Sequence, residues 1–391
     1  MKRILFLTFY FEPDLCAGSF RNTPLAHELL NQLREKFPGS EIDVISTAPN
    51  RYSTYLAEEI QTNNKKGLNI ERIKIPTHKS GFLDQIKSFS KYFFATRSIV
   101  KNREYDLVYA SSSRLFTAFL GALISKKKRI PLYLDIRDIF VDTLNDIIKN
   151  VAVRVVFFPI IKNVEKFTFN RAHHINLISQ GFEDYFAIYP KKKSFYSNGI
   201  DDDFLIRESH SRSENNIRTI TYAGNIGQGQ GLHNIIPKIA LKLGPSYQFF
   251  VIGDGGAKVL LDKELESLGV SNVNIVAPVH RSKLMEYYAK ADYLFVHLND
   301  FKAFEKVLPS KLFELATFPQ PLICGIGGYA RKFAHENIDN IILFNPCDEK
   351  DFEIQFMKYN YQLVERTDFI NKFRRKEINQ KMTKSILELL K

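Results

Sequence analysis

The chain has 391 residues, 45% of them hydrophobic and 13% aromatic, which excludes a collagen-like or broadly disordered protein and suffices for two cored domains. Its net charge is +12 at pH 7, concentrated in residues 1–200, so we expect the first half to meet an anionic partner. The three cysteines lack metal-ligand spacing, which indicates a reducing compartment. With no secretory signal and no apolar run long enough to span a bilayer, we expect a cytoplasmic protein.

Short runs rich in Val, Ile and Leu alternate with helical segments through the first half of the chain. The first run, "RILFLTFY" (3–10), is predicted to be a strand, and a helix is predicted over 17–33. Further strands are predicted at 41–47, 105–111, 131–138 and 173–179. Buried strands separated by helices indicate a parallel sheet that is covered on both faces.

The second half repeats this pattern after a polar segment, 206–216, that is typical of a linker. Its strands are predicted in the runs 218–227, 247–256, 273–279, 291–298, 320–326 and 340–346. We therefore predict an α/β protein with two facing Rossmann-like domains and a ligand cleft between them. The predicted divisions are domain 1–200, linker 201–216, domain 217–370 and a terminal helix, 371–391, that crosses back to the N-terminal domain.

Three glycine-bearing turns, at 17–19, 223–231 and 253–256, follow predicted strands. Glycine allows the backbone to approach a phosphate closely, and a helix N-terminus then offers free N–H groups. The first strand is not followed by GxGxxG or by an acidic residue in the ribose position, and a Walker A motif is absent. These absences disfavour an NAD enzyme and a P-loop NTPase.

Several longer motifs run in an order that resembles the retaining glycosyltransferases of family 4, which have the GT-B fold. They begin with "FYFEPDLCAGSFRN", continue through "DIRDIFVD", "TYAGNIGQGQGL" and "VIGDGGAKVLL", and end with "VLPSKLFELATFPQPLI". The chain looks most like the bacterial subgroup that adds N-acetylated aminosugars to surface polysaccharides, O-antigen or capsule. The resemblance implies a UDP-sugar donor held mainly by the second domain, an acceptor held by the first, and neither a cofactor nor a catalytic metal. The acidic run 201–203 is expected to be solvated.

The resemblance places the donor's ribose and diphosphate at the start of one short helix. Glu314 is expected to accept hydrogen bonds from the ribose hydroxyls, while Ser310 and Lys311 face the diphosphate. Lys306 stands where the family has another glutamate, so the sugar end of the site departs from the family pattern. The alternative is an ordinary helix start for Ser310 and a solvated surface position for Lys311.

The glycine turn at 223–231 also departs from the family. Asn225 and Gln230 stand where many members have an arginine and a lysine that contact phosphate, so this turn lacks two charges. The other donor-binding residues implied are Gly227 and Gly253 in the turns, and Val279 and His280 beside the base. An exposed loop histidine is the alternative for His280.

Three residues of the first domain are implied to be catalytic: Gly18, Arg137 and Asp138. Retention in this family is explained by attack on the same face, with the leaving diphosphate taking the acceptor proton. Asp138 would orient or activate the acceptor hydroxyl, and Arg137 would contact donor phosphate or sugar. Arg21 is a further candidate for phosphate or acceptor contact. The alternative for Arg137 and Asp138 is a buried pair that ties loops together.

The acceptor is expected to be a saccharide linked to a lipid diphosphate, so that the protein lies on the anionic inner face of the cytoplasmic membrane. The stretch 81–103 places Phe93 on an aromatic helical face, with Lys87 and Lys91 beside it. Phe157 and Phe158 extend the apolar and basic surface. Basic amphipathic helices suit an anionic membrane; the alternative is that the aromatic stripe is ordinary core.

Two other functions stay open at this point. A UDP-sugar epimerase on the same fold would bind the donor without needing acceptor or membrane features. A non-catalytic partner of another transferase would explain the residues that depart from the family at 225, 230 and 306. No recognition motif accompanies the positive charge, so nucleic acid is not expected as a partner.

Overall fold

The computed structural model describes residues 1–14, 16–49, 66–75, 82–112, 115–142, 151–205 and 217–390. It forms two compact units, Met1–Asn198 with Lys376–Lys391, and Gly199–Arg375. Segment 206–216, predicted as the linker, lies outside the described residues. Within the described ranges, no helix combines the length and the apolar character that a bilayer span requires.

The first unit is built on a seven-stranded parallel sheet with the order β3-β2-β1-β4-β5-β6-β7. Its strands are β1 (Arg3–Leu7), β2 (Glu41–Thr47), β3 (Leu68–Ile73), β4 (Leu107–Ser112), β5 (Leu132–Ile136), β6 (His174–Leu177) and β7 (Lys192–Ser194). The central strands are almost wholly buried, as expected for a parallel sheet covered on both faces. The sequence prediction missed β3 and β7, which lie at the two edges and keep partly exposed residues.

Helices cover both faces of this sheet. In chain order they are α1 (Ala17–Lys36), α2 (Phe82–Val100), α3 (Leu115–Lys128), α4 (Val151–Arg171) and the single turn α5 (Glu183–Phe186). Each long helix returns the chain from the carboxyl edge of the sheet to its amino edge, as a parallel sheet requires. The carboxyl ends of these helices therefore lie at the edge opposite to the loops that follow β1 and β5.

The second unit is a six-stranded parallel sheet with the order β10-β9-β8-β11-β12-β13. Its strands are β8 (Arg218–Ala223), β9 (Tyr247–Ile252), β10 (Val273–Val276), β11 (Tyr293–His297), β12 (Leu322–Gly325) and β13 (Ile341–Phe344). Its helices are α6 (Leu232–Leu243), α7 (Lys258–Ser267), α8 (Arg281–Lys290), α9 (Ser310–Leu315), α10 (Gly328–Asn337), α11 (Glu349–Met357) and α12 (Thr367–Phe373).

The last helix, α13 (Arg375–Leu387), belongs mainly to the first unit. Met382, Ile386 and Leu387 are buried in one hydrophobic cluster with Leu25 and Leu29 of α1. Burying such apolar side chains provides roughly 1.5–3 kcal/mol each, which explains why the chain returns to the first unit.

Both sheets have the same arrangement, in which the first strand of each unit lies between its second and fourth strands. The order therefore reverses between β1 and β4 and again between β8 and β11. In open sheets of this type, ligands bind beyond the carboxyl ends of the strands at that reversal. The predicted fold class, α/β with two Rossmann-like units, is confirmed.

Candidate functional site

In the second unit, the turns that follow β8 and β9 are joined through their backbones. The Gly224 N–H donates to the Ile252 carbonyl at 2.9 Å, and the Ile226 N–H donates to the Asp254 carbonyl at 2.8 Å. Gly253 has φ +152°, and a Cβ there would lie 1.9 Å from the Gly224 carbonyl oxygen. Only glycine permits this close approach. The approach keeps the two turns together beyond the carboxyl ends of β8 and β9, beside the strand reversal.

The side chains of Asn225 and Gln230 contact each other. The Asn225 Nδ2 donates to the Gln230 Oε1 at 2.9 Å, across the turn. A Cβ at Gly227 would lie 2.3 Å from that Nδ2 and 3.0 Å from that Oε1. The structure thus brings together three residues predicted to bind the sugar nucleotide, and it gives the turn a neutral, hydrogen-bonding surface.

A histidine that the sequence prediction missed supports this turn through a hydrogen bond to its backbone. His297, the last residue of β11, has its Nδ1 2.6 Å from the Gln230 carbonyl oxygen, and its Nε2 accepts from the Cys347 N–H at 3.0 Å. An acceptor role for Nε2 requires the proton on Nδ1, so the ring is neutral. Burial lowers the pKa of His297 to about 4. Gly325 leaves the space for this ring, because a Cβ there would lie 2.3 Å from the His297 Cδ2.

Asn299, also missed, fixes the other side of the turn. Its N–H donates to the Gly229 carbonyl and its Nδ2 to the Gln228 carbonyl, both at 2.8 Å. Gly231 precedes α6 with φ +60°, and a Cβ there would lie 2.8 Å from the Asn299 Cγ. Position at the carboxyl end of a strand beside the sheet reversal, the last residue for His297 and the second one beyond for Asn299, was the sequence signal that could have identified both.

The short helix α9 carries an ion pair within reach of the turn. The Lys311 Nζ lies 2.7 Å from the Glu314 Oε2, and their side chains are 31% and 14% exposed. Burial lowers the pKa of the Lys311 ammonium, but the charge of Glu314 raises it and the Tyr222 phenol adds to that rise. The net effect is a raised pKa. The Tyr222 hydroxyl in turn donates to the Asn225 carbonyl at 2.7 Å. Tyr222 thus contacts the glycine turn and lies within electrostatic range of the Lys311 ammonium.

The remaining predicted donor residues also lie in the second unit. Ser310 is the first residue of α9 and follows Pro309, whose extended backbone begins the helix. Val279 is half-buried against the core, and His280 is exposed immediately before α8. Lys306 ends a 3₁₀ turn, Lys302–Lys306. The roles assigned to these residues stay predictions.

In the first unit, Gly18 of α1 and Arg137 after β5 lie next to each other. A Cβ at Gly18 would lie 3.0 Å from the Arg137 Nη1. The Nε and Nη1 of Arg137 are shielded from solvent, and no residue in the described ranges accepts a hydrogen bond from them. Asp138 is exposed, yet the surrounding protein raises the pKa of its carboxyl to about 6, an increase that Arg137 reduces. Unpaired guanidinium donors beside a helix N-terminus favour an anion there.

The prediction for Arg21 is wrong. Its side chain is 1% exposed, and it forms a bidentate ion pair with Asp135, Nε to Oδ2 and Nη2 to Oδ1, both at 2.8 Å. Its Nη1 donates to the Ser197 carbonyl at 2.8 Å. All three nitrogen atoms are therefore engaged inside the core, so Arg21 does not offer them to a phosphate or an acceptor. The pairing also keeps the pKa of Asp135 below its usual range despite burial.

On α2, the aromatic face packs against the unit and the opposite face is exposed. The Phe89 ring lies 5.1 Å from that of Phe116 in α3, and Phe93 is half-buried beside it. Lys87 and Lys91 are exposed, and the exposed aromatic residue is Phe94, at 67%. Phe89 and Phe93 of the predicted stripe thus lie partly buried against the unit, and the outward residues described on α2 include the basic Lys87 and Lys91 and the aromatic Phe94.

The first half of α4 presents apolar side chains to solvent. Val155, Phe157 and Ile160 are 68%, 45% and 55% exposed, while Phe158 is half-buried. Exposed apolar groups that lie close together mark contact surfaces more often than scattered single ones do. Of the two predicted residues, Phe157 lies on this outward surface.

The acidic run after the first unit is not uniformly solvated, contrary to prediction. Asp201 pairs through Oδ1 with the Arg375 Nε and through Oδ2 with the Arg281 Nη2, the latter at 2.9 Å. The Asp202 and Asp203 side chains are 68% exposed, as expected. Asp201 therefore joins three segments of the second unit. Within the described residues, no group of three His, Cys, Asp or Glu side chains is placed to hold a metal ion.

Several solved structures resemble this chain along its full length. A sucrose-phosphate synthase from Thermosynechococcus elongatus has a TM-score of 0.75 at 12% identity, covering 100% of this chain and 99% of its own. HepE from Anabaena, in complex with UDP, has a TM-score of 0.65 at 16% identity, covering 99% and 100%. WaaG, a glycosyltransferase involved in lipopolysaccharide biosynthesis, has a TM-score of 0.61 at 14% identity, covering 98% and 94%. At these identities the likeness establishes the fold.

Comparison by sequence found no match. No model of a protein family matches the chain, and no curated protein matches it significantly. The functional assignment therefore depends on the chemistry of the site.

Proposed function

We propose that this protein is a glycosyltransferase that moves a sugar from a UDP-sugar to an acceptor. The observation that carries the proposal is that one unit holds both the glycine turn at its strand reversal, with the Asn225–Gln230 contact, and the Lys311–Glu314 ion pair at the start of α9. The likeness to HepE in complex with UDP and to WaaG, a glycosyltransferase, supports it.

In this proposal the ion pair of α9 divides between the two ends of the nucleotide. The Glu314 carboxylate accepts hydrogen bonds from the ribose hydroxyls, and the Lys311 ammonium turns to the diphosphate. Asn225 and Gln230 separate, and their amides bind phosphate or sugar oxygens. Val279 and His280 lie beside the uracil, and Ser310 offers its N–H to the diphosphate.

The first unit supplies the acceptor side of the reaction. The buried Nε and Nη1 groups of Arg137 have no hydrogen-bond acceptor in the described protein, so they suit the negative charge that develops on the diphosphate of the UDP-sugar. Asp138 holds the acceptor hydroxyl, and with its pKa near 6 it is largely ionised at neutral pH. The reaction proceeds with retention and without a metal: the new glycosidic bond forms on the face that the diphosphate leaves, and the diphosphate oxygen takes the hydroxyl proton.

We infer that the sugar is an N-acetylated aminosugar and that the acceptor is a lipid-diphosphate-linked saccharide of bacterial surface polysaccharide synthesis. The protein then lies peripherally on the anionic inner face of the cytoplasmic membrane. The outward apolar residues of α4, with Phe157 among them, and the exposed Lys87, Lys91 and Phe94 of α2 support this placement.

A panel of UDP-sugars, read by the shift in thermal unfolding, tests the donor half. We expect one UDP-sugar to raise the midpoint, and Lys311→Ala and Glu314→Gln each to reduce that rise. Lys332→Ala, an exposed lysine on α10, is the matched control. An unchanged shift in Lys311→Ala removes that residue from the phosphate site, and no shift with any UDP-sugar contradicts the proposal.

Release of UDP tests the acceptor half. A transferase releases UDP slowly alone and faster with a lipid-linked saccharide, whereas an epimerase returns an altered UDP-sugar and a non-catalytic partner returns neither. We expect Asp138→Asn to lower the acceptor-dependent rate and to leave donor binding unchanged. Flotation with anionic and neutral vesicles at low salt tests the membrane, and failure to float with the anionic vesicles contradicts that part.

A further inference from the structure

A groove on the first unit, away from the candidate site, is lined by cations on both walls. It has a volume of about 240 Å³ and lies between the carboxyl-terminal ends of α2 and α3. Arg97 and Lys101 form one wall, and Lys127 and Lys128 form the other. Apolar side chains such as Leu123 form the floor, and no acidic side chain in the described ranges lines it.

The cationic side chains of this groove differ in whether they contact other groups of the protein. The Lys128 ammonium donates to the Arg103 carbonyl, and the Arg97 guanidinium stacks on the Phe93 ring at 5.5 Å. Lys101 and Lys127 are exposed, and within the described residues their ammonium groups have no hydrogen-bond or ion-pair partner. Two positions are thus anchored and two are available to a ligand.

Ordinary helix electrostatics explains part of this charge but not its convergence. Cations near a helix carboxyl terminus stabilise the helix dipole, and each of α2 and α3 could satisfy that alone. Here four cations at the carboxyl-terminal ends of α2 and α3, with Lys101 directly after α2, line one concave space, and none of its lining residues is acidic. Like charges gathered around one groove repel each other, and a bound anion would relieve that repulsion.

We propose that this groove binds a compact anion with clustered phosphate oxygens, either a free polyphosphate or the phosphomonoester headgroup of an anionic lipid. Ammonium groups bind phosphate as point charges, and a guanidinium adds paired donors. The volume suits one small anion. The groove lies at the amino edge of the sheet, opposite to Gly18 and Arg137, so the proposal does not depend on the transferase activity.

The soluble arm of the test is calorimetric titration with sodium tripolyphosphate. Lys101→Gln/Lys127→Gln removes the two available cations, and we expect binding to weaken on the order of tenfold or more. Lys376→Gln/Lys381→Gln removes equal charge from exposed positions of α13 outside the groove, and we expect less than about a twofold change. Thermal unfolding of both variants checks that the fold is intact.

The lipid arm is flotation with phosphatidic acid vesicles and with phosphatidylglycerol vesicles of the same charge. Selective loss of phosphatidic acid binding in the groove variant identifies a lipid headgroup, and loss confined to tripolyphosphate identifies a soluble anion. Equal weakening by both double variants, or no weakening in either arm, overturns the proposal. Binding of tripolyphosphate that survives in the groove variant belongs to another site, such as the proposed donor site.

Discussion

Replacing His297 with phenylalanine should loosen the glycine turn of the second unit while keeping the ring that fills the core. Phenylalanine retains the aromatic contact with Phe344, whose ring centroid lies 5.9 Å away. It removes both ring nitrogens, so that the Gln230 carbonyl and the Cys347 N–H lose their partners. An unsatisfied buried polar group costs about 1–3 kcal/mol, so for two such groups we expect a loss of about 2–6 kcal/mol at neutral pH.

The same substitution should change the pH dependence of stability in a defined direction. The folded-state pKa of His297 is lowered from 6.5 to about 4, so its contribution is complete above pH 6.5 and is lost as pH falls towards 4. A difference of 2.5 pKa units corresponds to about 3 kcal/mol. We therefore expect the gap between the native protein and His297→Phe to shrink by about that amount between pH 7 and pH 4.

Hydrogen exchange of peptides covering 218–231 and 293–299, corrected for the intrinsic pH dependence of exchange, would measure this loss within the second unit. His174→Phe is the matched control, because burial also lowers the pKa of that histidine to about 4, but in the first unit. A gap that stays constant with pH would refute the reasoning. Faster exchange of the first unit in His297→Phe would refute it as well.

Three further substitutions test contacts inside one unit or the other by denaturant unfolding. Gly325→Ala places a Cβ 2.3 Å from the His297 Cδ2, and we expect a loss of about 1–3 kcal/mol; a neutral result would contradict the overlap. Glu165→Gln should stabilise the protein above pH 7 by up to about 3 kcal/mol and not below pH 4.5, because burial raises the pKa of that carboxyl to about 7. Arg21→Met should cost about 3–5 kcal/mol by leaving Asp135 buried and unpaired, and Arg21→Met/Asp135→Leu should cost less.

Exposed positions at the sheet edges explain the two strands that sequence reasoning missed. The strands of the sheet interiors are mostly buried and rich in apolar residues, and their locations followed from the sequence. β3 alternates buried and half-exposed residues, and β7 has only three residues, none fully buried. An edge strand buries less of its surface, so the apolar run that identifies a central strand is weaker there.

Local sequence determined the glycine positions and the start of α9, because these depend on backbone freedom and on the missing N–H of proline. Gly253 is needed for an approach of 1.9 Å, and Ser310 begins the helix as predicted. The contacts of individual side chains did not follow from the local sequence. The sequence made both Arg21 and Arg137 candidates for contact with phosphate, yet the structure pairs Arg21 with the buried carboxylate of Asp135.

The sequence by itself therefore determined the fold class, most strands and the turns that gather at the strand reversal of the second unit. Tertiary structure alone decided which charges are used internally, which phenylalanine of α2 faces solvent, and that His297 supports the turn. The physical reason is that apolar periodicity and glycine are local signals. Hydrogen-bond and ion-pair partners come from segments distant in sequence, such as Arg21 with Asp135, and only folding brings them together.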